Sequence, residues 1–462
     1  MSASCRDRVR GAFRRLSMRP VQRLVMLFFA AAISTLCPAP VAALDLKEIG
    51  ADLTLTPARI EQLKTWEIAK INGARAAREV SEPYGYPEYR RIGNFFVINR
   101  IDSELVYDTN VFATPGKGTA DLAWRTVPLL VVRSDLPRHI FDLQISAGLT
   151  RQLRETALDH DDASAQVAAI FHLDHSHILS IKAGTALTHE DRLAIGAATN
   201  ATSLTPILHS YAAVGLKRDA GRLWASSGAS FDSWKFEDVR DTSGAEITQG
   251  HRNTTTTAAD FKLGYRFSPG FELLGRVKGL RQQNVGNVDV DTTAWGAEAI
   301  AGVRLELGAL LRLAFDGGYG IRDYDRAGVE TAGIGLVEGR LEWLMNPAMT
   351  AILSVNRSFD DGVSSSTSGG GAGGRVQQGL SSRVDYWMAR NLMFTFGADY
   401  RETVFQDEER TDERLTGHAS LVRHLGRNLQ LRVGVEHIEQ RSTDPAFAIR
   451  RNQINAGARI RF

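Results

Sequence analysis

The stretch INAGARIRF, residues 454–462, is the part of the sequence that decides the fold. Apolar residues take every second position in it, and polar residues or glycine take the positions between; the apolar ones are Ile454, Ala456, Ala458, Ile460 and Phe462. A period of two predicts a β-strand with one apolar and one polar face. Because a two-faced strand at the end of a chain needs a neighbour along each edge, the rest of the sequence must supply one.

Composition favours one large repetitive domain over several compact ones. The 462 residues contain 23% charged and 43% hydrophobic residues, and the 42 glycines are spread along the chain without an obvious linker. This composition is typical neither of a disordered chain nor of a helical membrane protein, and beyond residue 44 no apolar run approaches the ~20 residues of a spanning helix. Any membrane-spanning part is therefore predicted to be β.

Residues 1–43 are predicted to be a cleaved signal peptide. A basic stretch that reaches Arg23 precedes a short apolar core, and small residues precede the cleavage site after Ala43; translation starts at Met1 or at Met18. Both cysteines, Cys5 and Cys37, lie in this segment, so the mature chain has no disulfide framework. Seven arginines and one aspartate leave with it, which changes the formal net charge from +2 to about −4 and argues against nucleic-acid binding.

Residues 44–93 are predicted to form a periplasmic segment with one helix over about residues 57–80. Thr56 is suited to cap it, Pro57 suits its first turn, and apolar residues recur along one face, at Ile60, Leu63, Ile68 and Ile71. Two interpretations remain open at this point. The helix packs against the rest of the protein, or it serves as a plug or as a docking element for a partner.

The connections between the later segments predict the architecture. Alternating patterns such as that of residues 139–150 fit a soluble sandwich as well as a membrane barrel. Eight connections are short and tight, however, and nine longer, polar ones separate them, among them residues 188–205, 235–254 and 360–374. This alternation is typical of an outer-membrane barrel with periplasmic turns and external loops. Seventeen connections predict an all-β, antiparallel up-and-down barrel of about 18 strands over residues 94–462.

An even strand number explains the terminal strand. It returns residues 454–462 to the periplasmic side, where they pair with the first strand near Phe95 to Tyr107 and abolish both edges. The five apolar residues of this strand also look like the signal read by the machinery that inserts such barrels. The barrel-assembly machinery, outer-membrane lipid and lipopolysaccharide are therefore the expected partners. The alternative is a soluble β-domain that happens to end in phenylalanine.

Residues 95–148 resemble the opening of the putative β-barrel porin type 2 family. The resemblance rests mainly on the family motif, with further matches at Asp121, Pro128 and residues 134–139; the motif residues are Tyr107, Asp108, Asn110, Val111 and Phe112. It extends from about Phe95 to Phe462. Members of this proteobacterial outer-membrane family resemble components of exopolysaccharide synthesis and export clusters. The resemblance therefore implies a barrel of that kind and brings no catalytic residues.

Residues predicted to face the lumen carry both signs of charge. They are Arg100, Asp102, Glu104, Arg383, Asp385, Asp399, Arg401, Arg432, Glu436 and Arg459, with Arg461 beside them. Such a wall suits hydrated, polar cargo, although charge ladders that merely brace the strands would give the same pattern. The tryptophans near strand ends are typical of an interfacial aromatic girdle, with stacking on sugar rings as the alternative.

No enzyme is predicted. The sequence HLDHSH places His172, Asp174, His175 and His177 close together, but on a short turn without a supporting shell, so no metal site is expected. No serine or aspartate has a recognisable base or orienting partner, and no cofactor is expected. The sequence therefore predicts a hydrated pore that takes part in export or biosynthesis of an exopolysaccharide, with polysaccharide and periplasmic export partners. A general diffusion porin for small polar solutes and a surface structural or receptor barrel remain as alternatives.

Overall fold

The computed structural model describes residues 90–462, except 286–292, 309, 326–329, 361–373 and 407–408. The predicted signal peptide and the predicted helix of residues 57–80 lie outside the described residues. Within the described part there is no helix long and apolar enough to cross a membrane.

Almost every described residue lies in a strand or in a connection between strands. The bounds are β1 Arg90–Ile92, β2 Phe95–Asp108, β3 Asp121–Ser134, β4 His139–Gln152, β5 His160–His172, β6 His177–His189, β7 Pro206–Ala220, β8 Leu223–Phe236, β9 Val239–Arg240, β10 Glu246–Ile247, β11 Thr254–Ser268, β12 Phe271–Asn284, β13 Ala294–Leu307, β14 Leu311–Tyr324, β15 Ala332–Asn346, β16 Met349–Asp360, β17 Arg375–Ala389, β18 Leu392–Phe405, β19 Thr411–His424, β20 Leu429–Ser442 and β21 Ile449–Arg461.

Eighteen of these strands, β2–β8 and β11–β21, form a closed antiparallel barrel. Each pairs with the next along the chain, β8 with β11 across the intervening loop, and β2 closes the barrel against β21 in a register that runs from Arg100↔Arg461 to Asp108↔Gln453. β1 folds back on the start of β2, and β9 and β10 form a small ladder within the loop between β8 and β11. The predicted barrel of 18 strands is confirmed, and its last strand has a neighbour on each edge.

The two faces of the wall differ in chemistry. Large apolar side chains point outward and are strongly exposed, as at Leu105, Val433 and Ile454, which are 50%, 52% and 50% exposed. Inward positions carry polar side chains, and some of these are almost fully buried, including Asp142 and Glu436. Because successive residues of a strand point to opposite faces, the apolar alternation in the sequence maps directly onto the outer surface.

Short and long connections lie at opposite ends of the barrel. Eight tight turns join the described strands at one end, which we call the turn end; β2 begins and β21 ends there. The strand ends that the nine longer connections join lie at the other end, which we call the loop end. In outer-membrane barrels the turn end faces the periplasm.

The wall departs from regularity between β15 and β16. Their register ends at Val337↔Arg357, although β16 stays paired with β17 up to Asp360↔Arg375. Beyond that point Phe359 and Val376 pack against inward-facing Ile334 and Leu336. The described residues at the loop end of β16 and β17 therefore bend into the lumen.

Candidate functional site

The predicted lumen residues of the first and last strands lie on one face. Arg100, Asp102 and Glu104 alternate along β2, and Arg100 Nε lies 3.1 Å from Asp102 Oδ2. Across the seam, Arg459 Nε donates to Asp102 Oδ1 over 2.6 Å, while Glu104 lies 3.8 Å from Arg125 of β3. The last two pairs cross from strand to strand, and all three lie on the side opposite Leu105.

The other predicted lumen residues share the inward face of β17–β20. Arg383 pairs with Asp385 at 3.0 Å, and Asp399 lies 3.7 Å from His418 of β19. The remaining three are Arg401, Arg432 and Glu436, which the strand register places on the same face. All ten predicted residues therefore lie on one inner surface, in two groups on neighbouring parts of the wall.

Pairs of oppositely charged side chains continue around the rest of the inner surface. Examples are Arg304 with Asp316 at 2.6 Å, Arg322 with Glu298 at 2.8 Å, and Arg266 with Asp219 at 2.9 Å. The wall is thus hydrophilic and of mixed charge around the described circumference, which suits polar, hydrated solutes more than apolar ones.

Residues 190–205, between β6 and β7, fold into the lumen instead of outward. Leu193 is 6% exposed and packs with Ala113, Ile438 and Ile449, of which the last two face inward from β20 and β21. Arg414 of β19 donates from Nη2 to the Leu193 carbonyl over 2.5 Å. The loop therefore crosses the loop end of the lumen from β6 and β7 to the wall at β19–β21, and narrows it.

Two ion pairs hold this inward loop. Arg451 donates from Nε to Asp108 over 2.6 Å and from Nη1 to Asp191 over 3.0 Å, so one guanidinium joins β2, β21 and the loop. On the other side of the loop Glu190 accepts two hydrogen bonds from Arg252, which is 3% exposed. Because Asp108, Glu190 and Arg252 are buried, loss of the partner of any of the three would leave a buried charge without compensation.

The loop is also braced from within. Arg192 donates to the carbonyls of Ala198, Ala201 and Ser203 over 2.6–3.1 Å and lies 6.0 Å from the ring of Phe112. A single side chain thereby fixes the path of the loop backbone.

Burial and neighbouring charges shift the pKa values of two loop side chains in a consistent way. Burial lowers the pKa of Arg192. Loss of hydration at this site would by itself raise the pKa of Asp191. The charge of Arg451 and the hydrogen bond from the Leu193 N–H outweigh this effect and hold the pKa below its usual value. Since 52% of the Asp191 side chain is exposed, its carboxylate is the part of this anchor that the lumen can reach.

Two of the family-motif residues, Asp108 and Phe112, contact the arginines that hold the inward loop. Asp108 holds Arg451 and Gln453, and Asn110, 1% exposed, donates to the carbonyls of Thr114 and Arg450. Val111 is buried and Phe112 lies beneath Arg192, whereas Tyr107 points outward and is 44% exposed.

The six tryptophans of the described residues divide between the two faces. Trp124, Trp295 and Trp343 point outward near strand ends, as in an aromatic girdle. The register places the other three on the inward face: Trp224, Trp234 and Trp387. Trp234 stacks on His209 with ring centres 3.8 Å apart. The girdle interpretation therefore holds for only half of them.

The HLDHSH turn is organised by hydrogen bonds. Asp174 accepts from the backbone of Ser176 and His177, and His177 Nδ1 lies 2.8 Å from its second oxygen. Backbone donors to Asp174, followed by His177, hold the pKa of that carboxyl well below its usual range. Among the residues that the structure describes, no group of three or more His, Cys, Asp or Glu is arranged to hold a metal ion.

The apolar residues of the terminal strand lie on its outward face. Ile454 and Ile460 are 50% and 47% exposed, Ala456 and Ala458 lie between them, and Phe462 at the turn end is 59% exposed. The Phe462 N–H donates to the Asn99 carbonyl over 3.1 Å, so the last residue is still held to β2.

A closed 18-stranded barrel with an apolar outer surface, a charged inner wall and a loop that narrows its mouth is an outer-membrane, porin-like protein. Residues 82–462 match the model of the family described as "Putative beta-barrel porin 2", and the chain belongs to that family. The predicted family is thereby confirmed, and membership of this porin-like barrel family places the protein in the outer membrane. No curated protein matches the chain.

Several solved outer-membrane proteins are similar to this chain in fold. OpdK from Pseudomonas aeruginosa is 14% identical, with a TM-score of 0.42 over 79% of this chain and 98% of that one. OccAB3 from Acinetobacter baumannii is 12% identical, with a TM-score of 0.43 over 80% and 100%. The siderophore receptor PiuA from Acinetobacter baumannii is 8% identical, with a TM-score of 0.43 over 81% and 82%.

Proposed function

We propose that the barrel is a hydrated pore that takes part in export or biosynthesis of an exopolysaccharide. The observation that carries this proposal is the set of three tryptophans on the inward face, Trp224, Trp234 and Trp387. Each indole is half-buried against the wall, and the part left uncovered offers a flat apolar surface to the C–H face of a pyranose ring. Mixed-charge side chains around it supply donors and acceptors for hydroxyl groups.

The test is a deletion strain assayed for two properties at once. We expect loss of secreted polysaccharide with unchanged permeability to small solutes, and restoration by the wild-type gene. Normal secretion in the deletion strain would refute the export role. A glycosyltransferase or polysaccharide polymerase gene close by would add support.

A general diffusion porin is the second candidate, because the inward loop of residues 190–205 narrows a lumen whose wall carries both signs of charge. That role predicts the opposite result, with reduced uptake of small polar solutes and normal polysaccharide secretion. In either role we propose that the protein has no enzymatic activity, that its signal peptide is cleaved, and that the barrel-assembly machinery inserts it beside lipopolysaccharide.

A further inference from the structure

Two aromatic side chains on the inward face of β7 and β8 lie directly over glycine backbone. The indole of Trp224 lies over Gly264 of β11, where a Cβ would overlap the ring. Tyr211 lies over Gly184 of β6 in the same way, with its Cζ and hydroxyl 2.7 Å from the place a Cβ would take. Any other residue at either glycine would push the ring away from the wall. One face of each ring is therefore covered by the barrel, and a lysine ammonium group lies over the ring from the lumen.

Each ring has a lysine beside it. Lys217 Nζ lies 5.2 Å from the ring centre of Trp224, and Lys182 Nζ lies 4.8 Å from that of Tyr211. The Tyr211 hydroxyl donates to Gln166 over 2.8 Å, which fixes the orientation of that ring.

Each lysine also has a carboxylate nearby, so neither place carries a large excess of charge. Asp219 lies 3.9 Å from Lys217, and Asp232 is the register partner of Tyr211 and interacts with the charge of Lys182. At the Trp224 end, Arg266 binds Asp219 and is offset in turn by Glu272 at 3.2 Å. We call the sets Trp224–Lys217–Asp219 and Tyr211–Lys182–Asp232 the lower and upper stations.

The wall between the stations is low. The inward residues of β7 and β8 that separate them are all small: Ala213, Gly215, Ser226, Gly228 and Ser230. Asp232 lies eight positions after Trp224 on β8, roughly 26 Å along the strand. Several linked pyranose rings cover that length without meeting a bulky side chain of these two strands, and midway they pass Asp260 of β11, whose carboxylate lies over Gly228. His209 and Trp234 extend the aromatic surface above the upper station.

We propose that the two stations are the binding sites of a saccharide track for a linear, uncharged polysaccharide. The aromatic rings stack on the C–H faces of successive pyranose units, and the lysine and aspartate of each station bind hydroxyl groups. An uncharged chain fits because cation and carboxylate occur together at both ends. This inference rests on the proposed function and names the residues by which the lumen holds its cargo.

Calorimetric titration of the purified full-length protein in detergent with uncharged linear hexasaccharides tests the track. The probes are maltohexaose, laminarihexaose and mannohexaose, and we expect at least one to bind. Trp224→Ala and Tyr211→Ala should each weaken its binding at least tenfold, whereas Trp224→Phe should retain most of it. Trp343→Ala, which removes an outward tryptophan near the same end of the barrel, is the matched control and should leave the affinity unchanged.

A second variant separates positioning from mere presence of the ring. Gly264→Ala keeps Trp224 but forces the indole off the wall, so it should also weaken binding. Heat-modifiable migration in gels checks that each variant still forms a barrel. Failure of all three probes at millimolar concentration overturns the track, as does equal binding by Trp224→Ala and Trp343→Ala. Failure of the proposed function has a different readout, which is normal polysaccharide secretion in the deletion strain.

Discussion

Arg451 Nε lies 2.6 Å from Asp108 Oδ2, and this ion pair joins the last strand of the barrel to the first across 343 positions of sequence. The same guanidinium also holds Asp191 of the inward loop. Barrel closure and the constriction of the lumen thus share one side chain.

Arg451→Ala should strongly destabilise the folded barrel. It leaves Asp108, whose side chain is 7% exposed, without its counter-ion, and loss of one partner of a buried pair costs about 3–5 kcal/mol. The measurement is the free energy of unfolding in detergent, followed by the heat-modifiable shift. Arg151→Ala is the control, because Arg151 pairs with Asp161 on the exposed outer rim and solvent-exposed pairs contribute little to stability. Equal losses in the two variants would contradict the role of the buried pair.

Replacement of residues 191–204 by a short Gly-Ser linker should raise the single-channel conductance. His189 and Pro206 are register partners, so a tight linker can join β6 to β7 without strain. The reason for the rise is that the loop occupies part of the lumen cross-section. Removal of residues 242–244, the exposed tip between β9 and β10, is the matched control, because it keeps Asp241, whose backbone bridges to Ala201 of the inward loop. Conductance that stays the same after loss of the inward loop would show that current passes elsewhere.

Acid should release the inward loop. The pKa of Asp191 is held below its usual value, so its contribution to folding is complete above the unfolded value of about 3.9 and is lost as the pH falls through the lower folded pKa. We therefore expect steady conductance from pH 7 to 5 and a noisier, higher conductance below about pH 3.9. Asp191→Asn should show the acid behaviour already at pH 7.

Asp241→Asn provides the comparison for this experiment. Its carboxylate also has a lowered pKa, but Ser243 and the backbone of its own turn are the cause, not the lumen wall. This variant should respond to acid as the wild type does. A pH response that persists unchanged in Asp191→Asn would assign the effect to another group.

Deletion of Phe462 should impair assembly more than stability. The side chain is 59% exposed on the outer surface, and removal of one aromatic costs at most about 2–3 kcal/mol. We expect lower outer-membrane levels and envelope stress in cells, while protein refolded in detergent keeps its β-rich spectrum. Phe462→Trp, which retains a terminal aromatic residue, should assemble normally. Normal levels of the deletion variant would show that the terminal residue is not an insertion signal.

The barrel could be predicted from the sequence because strand pleating is a local property. Alternation of apolar and polar residues predicts which residues point together, and the order of short and long connections predicts the strand number. The shared face of residues such as Asp102 and Arg459 needs no further information.

The inward loop was not accessible in the same way. The description of residues 188–205 as a polar connection is wrong, because residues 193–198, LAIGAA, are apolar or glycine and pack inside. That apolar composition was the signal in the sequence that the loop packs against other residues. Its partners were not available: Arg451 lies 260 positions from Asp191, and no local pattern connects them. The helix of residues 57–80 stays a prediction.

The pairing of β2 with β21 also determines how long β2 lacks a partner during synthesis of the chain. Ribosomes add about 5–20 residues per second, so the partner of Arg100 is made roughly 20–70 s after Arg100 itself. Throughout that interval one edge of β2 has no strand to pair with in the polypeptide made so far. Its apolar face, which includes Leu105 and Tyr107, is also uncovered. Among the barrel strands, β2 therefore waits longest for the partner of its second edge.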